Sequence, residues 1–320
     1  MKVLVTGAAG FIGYHVCERL LARGDTVIGV DNLDASGDVT LKATRLSRLR
    51  AASNFGFHRM DIRDTRACQE LFDGARPERV VHLAARVGVR TMDSESPEYT
   101  ETNVTGFLQV LELCRRSRVE HLVFASSSSV YGAGADMPFA EESIADRPLS
   151  IYAATKRANE MMAYAYSHQY AMPITGLRLF SVYGPWGRPD MAPMVFLRAM
   201  LEGRALEMHG EGRIQRDFTY IDDVVEALVR VLDAAPSGLP LYRVLNVGLG
   251  RAVTLSRVVD LLEEQLGTTA WVEMRAARAE EMDATCADVA ALERETGFRP
   301  QVTLEQGLAR LVAWYRGLEG

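Results

Sequence analysis

Lys2-Val-Leu-Val-Thr6, followed at once by Gly7-Ala-Ala-Gly10-Phe11-Ile12-Gly13, decides the fold. A run of apolar and β-branched residues with no alternation reads as a strand buried on both faces, as in a parallel sheet. The glycines then permit a tight turn, a close approach of backbone to a pyrophosphate, and close packing of the next helix on the strand. That helix is expected over Tyr14–Arg23, with its N-terminal N–H groups turned to phosphate. By itself such a turn is equally ordinary turn chemistry, so the flanks matter. The second strand, Thr26–Val30, runs into Asp31 and Asn32. An acid at that place accepts hydrogen bonds from the adenosine ribose and repels a 2′-phosphate, which points to NAD rather than NADP.

Outward from this start, strand and helix patterns alternate as a doubly wound α/β sheet requires. Further strands are expected at Phe55–Met60, Arg79–Ala84, His121–Ala125 and Ile174–Phe180, and residues 34–54 read as a helical insertion. Asp61 and Ile62 would lie beside the adenine, and Leu83, Ala84 and Ala85 along the middle of the cofactor. Asn103 falls in a helix over Pro97–Arg116, either as a polar residue making local backbone bonds or as support for the catalytic groups. Beyond residue 180 the glycine- and proline-rich stretch Gly184-Pro-Trp-Gly-Arg-Pro-Asp190 and shorter elements suggest a second lobe. The expected organisation is a Rossmann domain over 1–180, a returning segment near 215–248 that includes a strand at Tyr242–Gly248, and a smaller, interleaved α/β substrate-binding lobe over 181–320.

Composition excludes several classes. The chain has 320 residues, 48% of them hydrophobic, and a formal net charge of −6, which offers no electrostatic case for nucleic acid. Mean hydropathy is −0.04, an ordinary globular value. Cys17, Cys68, Cys114 and Cys286 are scattered without metal-ligand spacing and read as reduced thiols of a cytoplasmic protein, with no metal expected. His58, His82, His121, His168 and His209 likewise lack ligand spacing and read as structural. No apolar run approaches the roughly 18 residues of a membrane span, and the first strand begins at the second residue, so neither a span nor a signal peptide is expected.

Tyr152-x-x-x-Lys156 carries the chemistry. Lysine occurs only at positions 2, 42 and 156, so this spacing is unlikely to arise by chance. On a helix the two residues share a face, and an ammonium beside a phenol would lower the tyrosine pKa toward neutrality and make it a general base.

Together, Thr6-Gly-Ala-Ala-Gly-Phe-Ile-Gly13, His82-Leu-Ala-Ala85, Ser126-Ser-Ser-Ser-Val-Tyr-Gly132, Tyr152-Ala-Ala-Thr-Lys156 and Arg216-Asp-Phe-Thr-Tyr-Ile-Asp-Asp223 resemble the extended short-chain dehydrogenase/reductases of the NAD-dependent epimerase/dehydratase group. Tyr152–Glu160 and Ser181–Met191 are similar to the UDP-glucuronate 4-epimerases within it. The resemblance implies a catalytic set of Ser127, Tyr152 and Lys156: Ser127 bonds the sugar O4, Lys156 holds the nicotinamide ribose, and Tyr152 takes the 4-OH proton as hydride leaves C4. It also implies a homodimer built on helix pairs. At the substrate it implies Arg216 on the diphosphate, and Arg278-x-x-Glu281 on phosphate and uridine ribose, with Glu where the family has Asp. Arg90 aligns with an arginine of the epimerases, or is a surface charge.

The dehydratases of the group carry adjacent Asp and Glu where this chain has Ser128 and Ser129, and the decarboxylases carry Glu at the latter place. Their absence favours simple epimerisation of UDP-glucuronate and UDP-galacturonate. Ser128, Ser129 and Ser181 are then candidate donors to the sugar carboxylate. Arg188 pairs with that carboxylate, pairs with a phosphate, or only steadies its own loop. A UDP-glucose 4-epimerase, a UDP-glucuronate decarboxylase and a non-catalytic nucleotide-sugar sensor stay as alternatives.

Overall fold

Val3, Leu4, Val5, Val80, Val81, Leu122 and Val123 have no solvent exposure, as residues of the central strands of a covered parallel sheet must. The structure, a computed structural model, describes residues 1–34, 38–88, 96–276 and 282–319. The sheet takes its strands from β1 (Lys2–Thr6), β2 (Thr26–Asp31), β3 (Phe55–Arg59), β4 (Arg79–His82), β5 (His121–Ser127) and β6 (Ile174–Leu179). The chain then makes an excursion through β7 (Ser181–Tyr183), β8 (Leu206–His209) and β9 (Gln215–Tyr220) before β10 (Tyr242–Val247) rejoins the sheet. The order is β3-β2-β1-β4-β5-β6-β10, and all neighbours run parallel. Its strand order reverses between β1 and β4, and ligands of such sheets bind in that crevice, beyond the carboxyl ends of the strands.

Helices α1 (Phe11–Ala22), α2 (Val39–Leu49), α3 (Thr65–Ala75), α4 (Ser96–Tyr99), α5 (Gly106–Arg116) and α6 (Ile151–Tyr170) alternate with the first six strands. Among them α4 passes into α5 through a π-helical turn, Thr100–Thr105. On one face of the sheet Tyr14, Val16 and Leu20 of α1 join a core shared with Val224 and Leu228; on the other, Phe107, Leu111 and Phe124 form a second core with Ala163 of α6.

The excursion builds a smaller lobe. A three-stranded sheet runs β11 (Ala252–Thr254), β9, β7, and β12 (Val272–Arg275) pairs with β8. Helices α7 (Ala192–Leu201), α8 (Ile221–Asp233), α9 (Leu255–Leu266), α10 (Ala290–Thr296) and α11 (Leu304–Glu319) complete the chain. Buried Asp217 holds this lobe together: its carboxylate accepts the amides of Leu249 (2.8 Å), Gly250 (2.9 Å) and Ala287 (3.0 Å).

Several boundaries differ from the sequence expectation, two of them for evident physical reasons. Helix α1 starts at Phe11 rather than Tyr14, since Gly10 in extended backbone (φ −69°, ψ 174°) is its cap and Gly13 falls inside the first turn. Strand β4 stops at His82 rather than Ala84, since the Leu83 and Ala84 amides donate to the Thr6 hydroxyl at 3.2 and 3.1 Å.

At Gly7 and Gly13 the structure leaves no room for a side chain. A Cβ at Gly13 would lie 2.1 Å from the Gly7 carbonyl oxygen, and one at Gly7, whose φ is +71°, would meet the Ala84 amide at 2.8 Å. Neither neighbour is a flexible side chain, so the helix would have to move off the strand. Gly13→Ala should therefore destabilise the protein by about 1–3 kcal/mol, the usual range for overpacking. It should also strip it of nucleotide. An unchanged urea midpoint with full nucleotide content would show that the packing here is slack.

Candidate active site

At the carboxyl ends of the strands, between the sheet and the smaller lobe, lies a cavity of about 860 Å³. Ser127, Ser128, Ser129, Tyr152, Ser181, Arg188 and Arg216 all line it. These candidates come from four separate segments, and the fold brings them to one wall system. The other three, Arg90, Arg278 and Glu281, lie outside the described residues.

Ser150 caps α6 by accepting the Ala153 amide at 3.2 Å, which sets Tyr152 in the helix's first turn, facing the cavity. One turn on, Lys156 is buried and its Nζ donates to the carbonyl of Ala125 in β5 at 2.8 Å. Ser127 ends the same strand, and its Oγ accepts the Ser129 amide (3.2 Å) and hydroxyl (2.9 Å). The 3₁₀ turn Ser128–Tyr131 that follows carries the serine pair into the cavity.

The expected effect of Lys156 on Tyr152 is not what the protein shows. Burial raises the Tyr152 pKa; the Ser127 hydroxyl bonded to it and the positive charge of Arg188 pull the other way without cancelling burial. The ammonium, 5.9 Å from the ring centroid, is turned to the Ala125 carbonyl, and burial lowers its own pKa to about 8. His82, buried beside Lys156 and hydrogen-bonded to Thr6 at 2.8 Å, is pushed down to about 3, first by burial and then by the ammonium. It is therefore neutral at physiological pH.

On the cofactor side, Gly7, Gly10, Phe11, Ile12 and Gly13 form the turn into α1, which has no side-chain cap and so leaves first-turn amides for a phosphate. Asp31 accepts the Ala9 amide at 3.1 Å and the Leu33 amide at 2.8 Å, with acceptor capacity remaining on both oxygens. Asn32 donates to Asp61 at 3.1 Å, which joins the ends of β2 and β3, and Ile62 is buried next to it. Leu83, Ala84 and Ala85 run along the crevice from the end of β4. This set, glycines under a helix end with an acid at the second strand, fits a dinucleotide.

Asn103 is a clamp. Its side chain holds both the amide (2.9 Å) and the carbonyl (3.0 Å) of Arg86 and donates to the Thr155 hydroxyl at 3.0 Å. It thus ties the loop after β4 to the helix of Tyr152 and Lys156, from within a π-helical turn of the kind that marks functional sites.

One residue escaped the sequence reading, and so did the protein partners of two that it named. Lys42, on α2, approaches Asp31 to 3.6 Å; its rarity in a chain with three lysines was the available signal. Arg188 is already engaged, with its Nε 2.9 Å from Asp190, a near neighbour in sequence that could have been weighed as its partner. Arg216 reaches across to donate to the Met282 carbonyl at 2.7 Å.

Folded Lys156 loses its proton near pH 8, whereas in an unfolded chain it does so near 10.5. Between these values the unfolded chain holds more protons, so stability rises with pH through that window. The urea midpoint of nucleotide-free protein should climb from about pH 8 to about pH 10 by more than that of Lys156→Met. Parallel curves would mean that the ammonium is well solvated.

Comparison with known proteins bears on the same residues. The NAD dependent epimerase/dehydratase family matches residues 3–248. An uncharacterised 37.6 kDa protein of Escherichia coli O111:H- is 46% identical over 99% of this chain and 98% of its own length. A probable UDP-glucuronate 4-epimerase of Rhizobium meliloti (strain 1021) is 41% identical over 98% of this chain and 97% of its own. The crystal structure of UDP-glucuronic acid 4-epimerase from Bacillus cereus, in complex with UDP-glucuronic acid and NAD, superposes with a TM-score of 0.92 at 34% identity, covering 99% of this chain and 100% of that one.

Proposed function

Because the chain belongs to the NAD-dependent epimerase/dehydratase family, we propose that it interconverts UDP-glucuronate and UDP-galacturonate by inverting C4. Residues 1–180, with the returning segment 215–248, would hold the cofactor, and residues 181–320 the nucleotide sugar. NAD bound at the glycine turn supplies reversible hydride transfer at C4. Tyr152 takes the 4-OH proton and later returns it, while Ser127 donates a hydrogen bond to the sugar O4 and so stabilises the developing 4-keto group. Lys156, anchored on Ala125, holds the nicotinamide ribose.

One observation carries the choice of reaction. Ser128 and Ser129 line the cavity next to Ser127 and Tyr152, where elimination of water or loss of carboxylate would call for an acid. A 4-keto uronate is a β-keto acid prone to lose CO₂, so an epimerase must fix the carboxylate in a conformation poor for that loss. Hydroxyls of Ser128, Ser129 and Ser181, together with Arg188, suit such a group. The engagement of Arg188 with Asp190 favours a second reading, in which the guanidinium is satisfied within its loop and the substrate is UDP-glucose. Purified protein incubated with each nucleotide sugar in turn separates them. UDP-galacturonate without UDP-pentose is expected; UDP-galactose alone would establish the second reading, and a UDP-pentose would refute simple epimerisation. Tyr152→Phe should lose at least about 10³-fold in kcat, within the range of general-base catalysis, while keeping NAD. Retained turnover would remove Tyr152 from the base role.

The outer faces of α5 and α6 expose Leu108, Met161, Tyr164 and Tyr170 at 41–63%. We assign these faces to a homodimer in which two helices of each subunit pack as a four-helix bundle. Light scattering should give about twice 35.4 kDa, and Met161→Glu should halve it; a monomeric parent would overturn the assignment. The four cysteines, all unpaired, accord with a cytoplasmic setting.

A further inference from the structure

Arg188 is the eighth residue of Ser181–Arg188, and two of the three residues before it, Pro185 and Trp186, are held by side chains of the cofactor domain. His15, in the first turns of α1, donates from Nε2 to the Pro185 carbonyl at 2.9 Å. Arg45, on α2, spans two carbonyls with one guanidinium: Nη1 donates to Ala9, inside the glycine turn, at 3.1 Å, and Nη2 donates to Trp186. Trp186 has a left-handed backbone (φ 59°), unusual for a bulky residue. Its ring is wedged edge-on against Tyr14 (6.0 Å) and Trp314 (5.3 Å), with Arg48 over it at 5.5 Å. Gly187 then closes the turn onto the Gly184 carbonyl at 3.0 Å.

Arg45 is only 4% exposed, and its Nε has no hydrogen-bond partner. Among the described residues its hydrogen bonds go to neutral carbonyls, and Asp38 and Asp31 act on this buried cation only through their charge, an arrangement that argues poorly for a purely stabilising role. Its geometry is specific instead. A planar fork fixes two acceptors at set separation, which an ammonium on a flexible stem does not do. The two acceptors belong to the turn that would carry the dinucleotide phosphates and to the loop that presents Arg188 to the sugar.

We propose that Arg45 is a positioning residue that couples the glycine turn to the 184–190 loop and thereby sets how well the cavity discriminates a C6 carboxylate through Arg188. This rests on the reading of Arg188 given under the proposed function. Without the fork, Trp186 can leave its left-handed conformation, Arg188 loses a fixed origin, and the group that it recognises is the one that suffers. Binding of the uridine diphosphate portion, made elsewhere in the cavity, does not.

The test uses full-length protein with its cofactor and the variants Arg45→Lys and Arg45→Met. Calorimetry with UDP and with UDP-glucuronate, kcat and KM for UDP-glucuronate and UDP-glucose, and NAD released on denaturation are measured for each. The affinity for UDP-glucuronate should fall about tenfold in Arg45→Met while that for UDP changes less than about twofold, with NAD content unchanged. Arg45→Lys, which conserves charge but not the fork, should resemble Arg45→Met. In an Arg188→Ala background either change should have no further effect on UDP-glucuronate, because the two residues act in series. Equal loss of UDP and UDP-glucuronate affinity, loss of NAD, full rescue by lysine, or additivity with Arg188→Ala would each overturn the proposal. Amide exchange of residues 184–191 in protein free of nucleotide sugar is the independent readout. It should quicken in both variants even if the parent protein proves indifferent to UDP-glucuronate, a result that would sink the substrate reading alone. Unchanged exchange would sink the coupling.

Discussion

A single buried ion pair joins the elements on which the candidate catalytic groups stand. Glu160 of α6 receives Arg178 of β6 twice, at 2.9 Å on each oxygen, and Ser126 of β5 at 2.7 Å. Arg157 reaches the same carboxylate at 2.7 Å, and Arg178 also donates to the Glu141 carbonyl and lies over the Tyr131 ring. Removing one partner from such a pair would leave an uncompensated buried charge, so all its members must keep their places together. Ser126 immediately precedes Ser127, and Glu160 lies one turn beyond Lys156. The register between strand β5 and helix α6 is thus fixed by charge in the interior. It is not left to the exposed loop that connects them.

From that register the rest of the site follows outward. Lys156 can reach the Ala125 carbonyl only because α6 lies against the end of β5, and Tyr152 then emerges at the strand's tip beside Ser127. Asn103 repeats the device on the other side, since it clamps Arg86 to Thr155 and so ties the loop after β4 to the same helix. The smaller lobe is fastened differently. Asp217 gathers backbone amides from chain segments far apart in sequence, and Arg216 beside it is thereby brought to the cavity wall.

The sequence exposed these relations unevenly, and the reason is physical. Buried parallel strands announce themselves by unbroken apolar runs, so β1 was legible, as was the glycine turn whose residues have no steric alternative; β10 was legible as a strand although Arg243 and Asn246 interrupt its run. The Tyr152–Lys156 spacing was legible because a helix has a fixed period. What spacing cannot express is where a long side chain points. Lys156 turns to a carbonyl and not to the phenol, and Arg45 reaches a loop distant in the chain; both outcomes depend on tertiary placement. Asn103 lay between these cases, with a helix position evident and its partners hidden.

The protonation of Tyr152 is where these constraints meet. Burial raises its pKa, and the groups opposing it are a hydroxyl and a guanidinium, both mounted on parts of the chain that meet only in the cavity. A half-buried phenol on a cavity wall gains most from donors that are already in place, because fixed donors need no reorganisation as charge develops. Ser127 is held by two bonds from Ser129, and Arg188 is held by Asp190 and by the turn anchored on Arg45. In the role of base proposed for it, Tyr152 would therefore be tuned by Ser127 and Arg188 more than by the lysine that the sequence places next to it. A substitution that loosens the 184–190 loop would raise the phenol's pKa while leaving Tyr152 and Lys156 untouched.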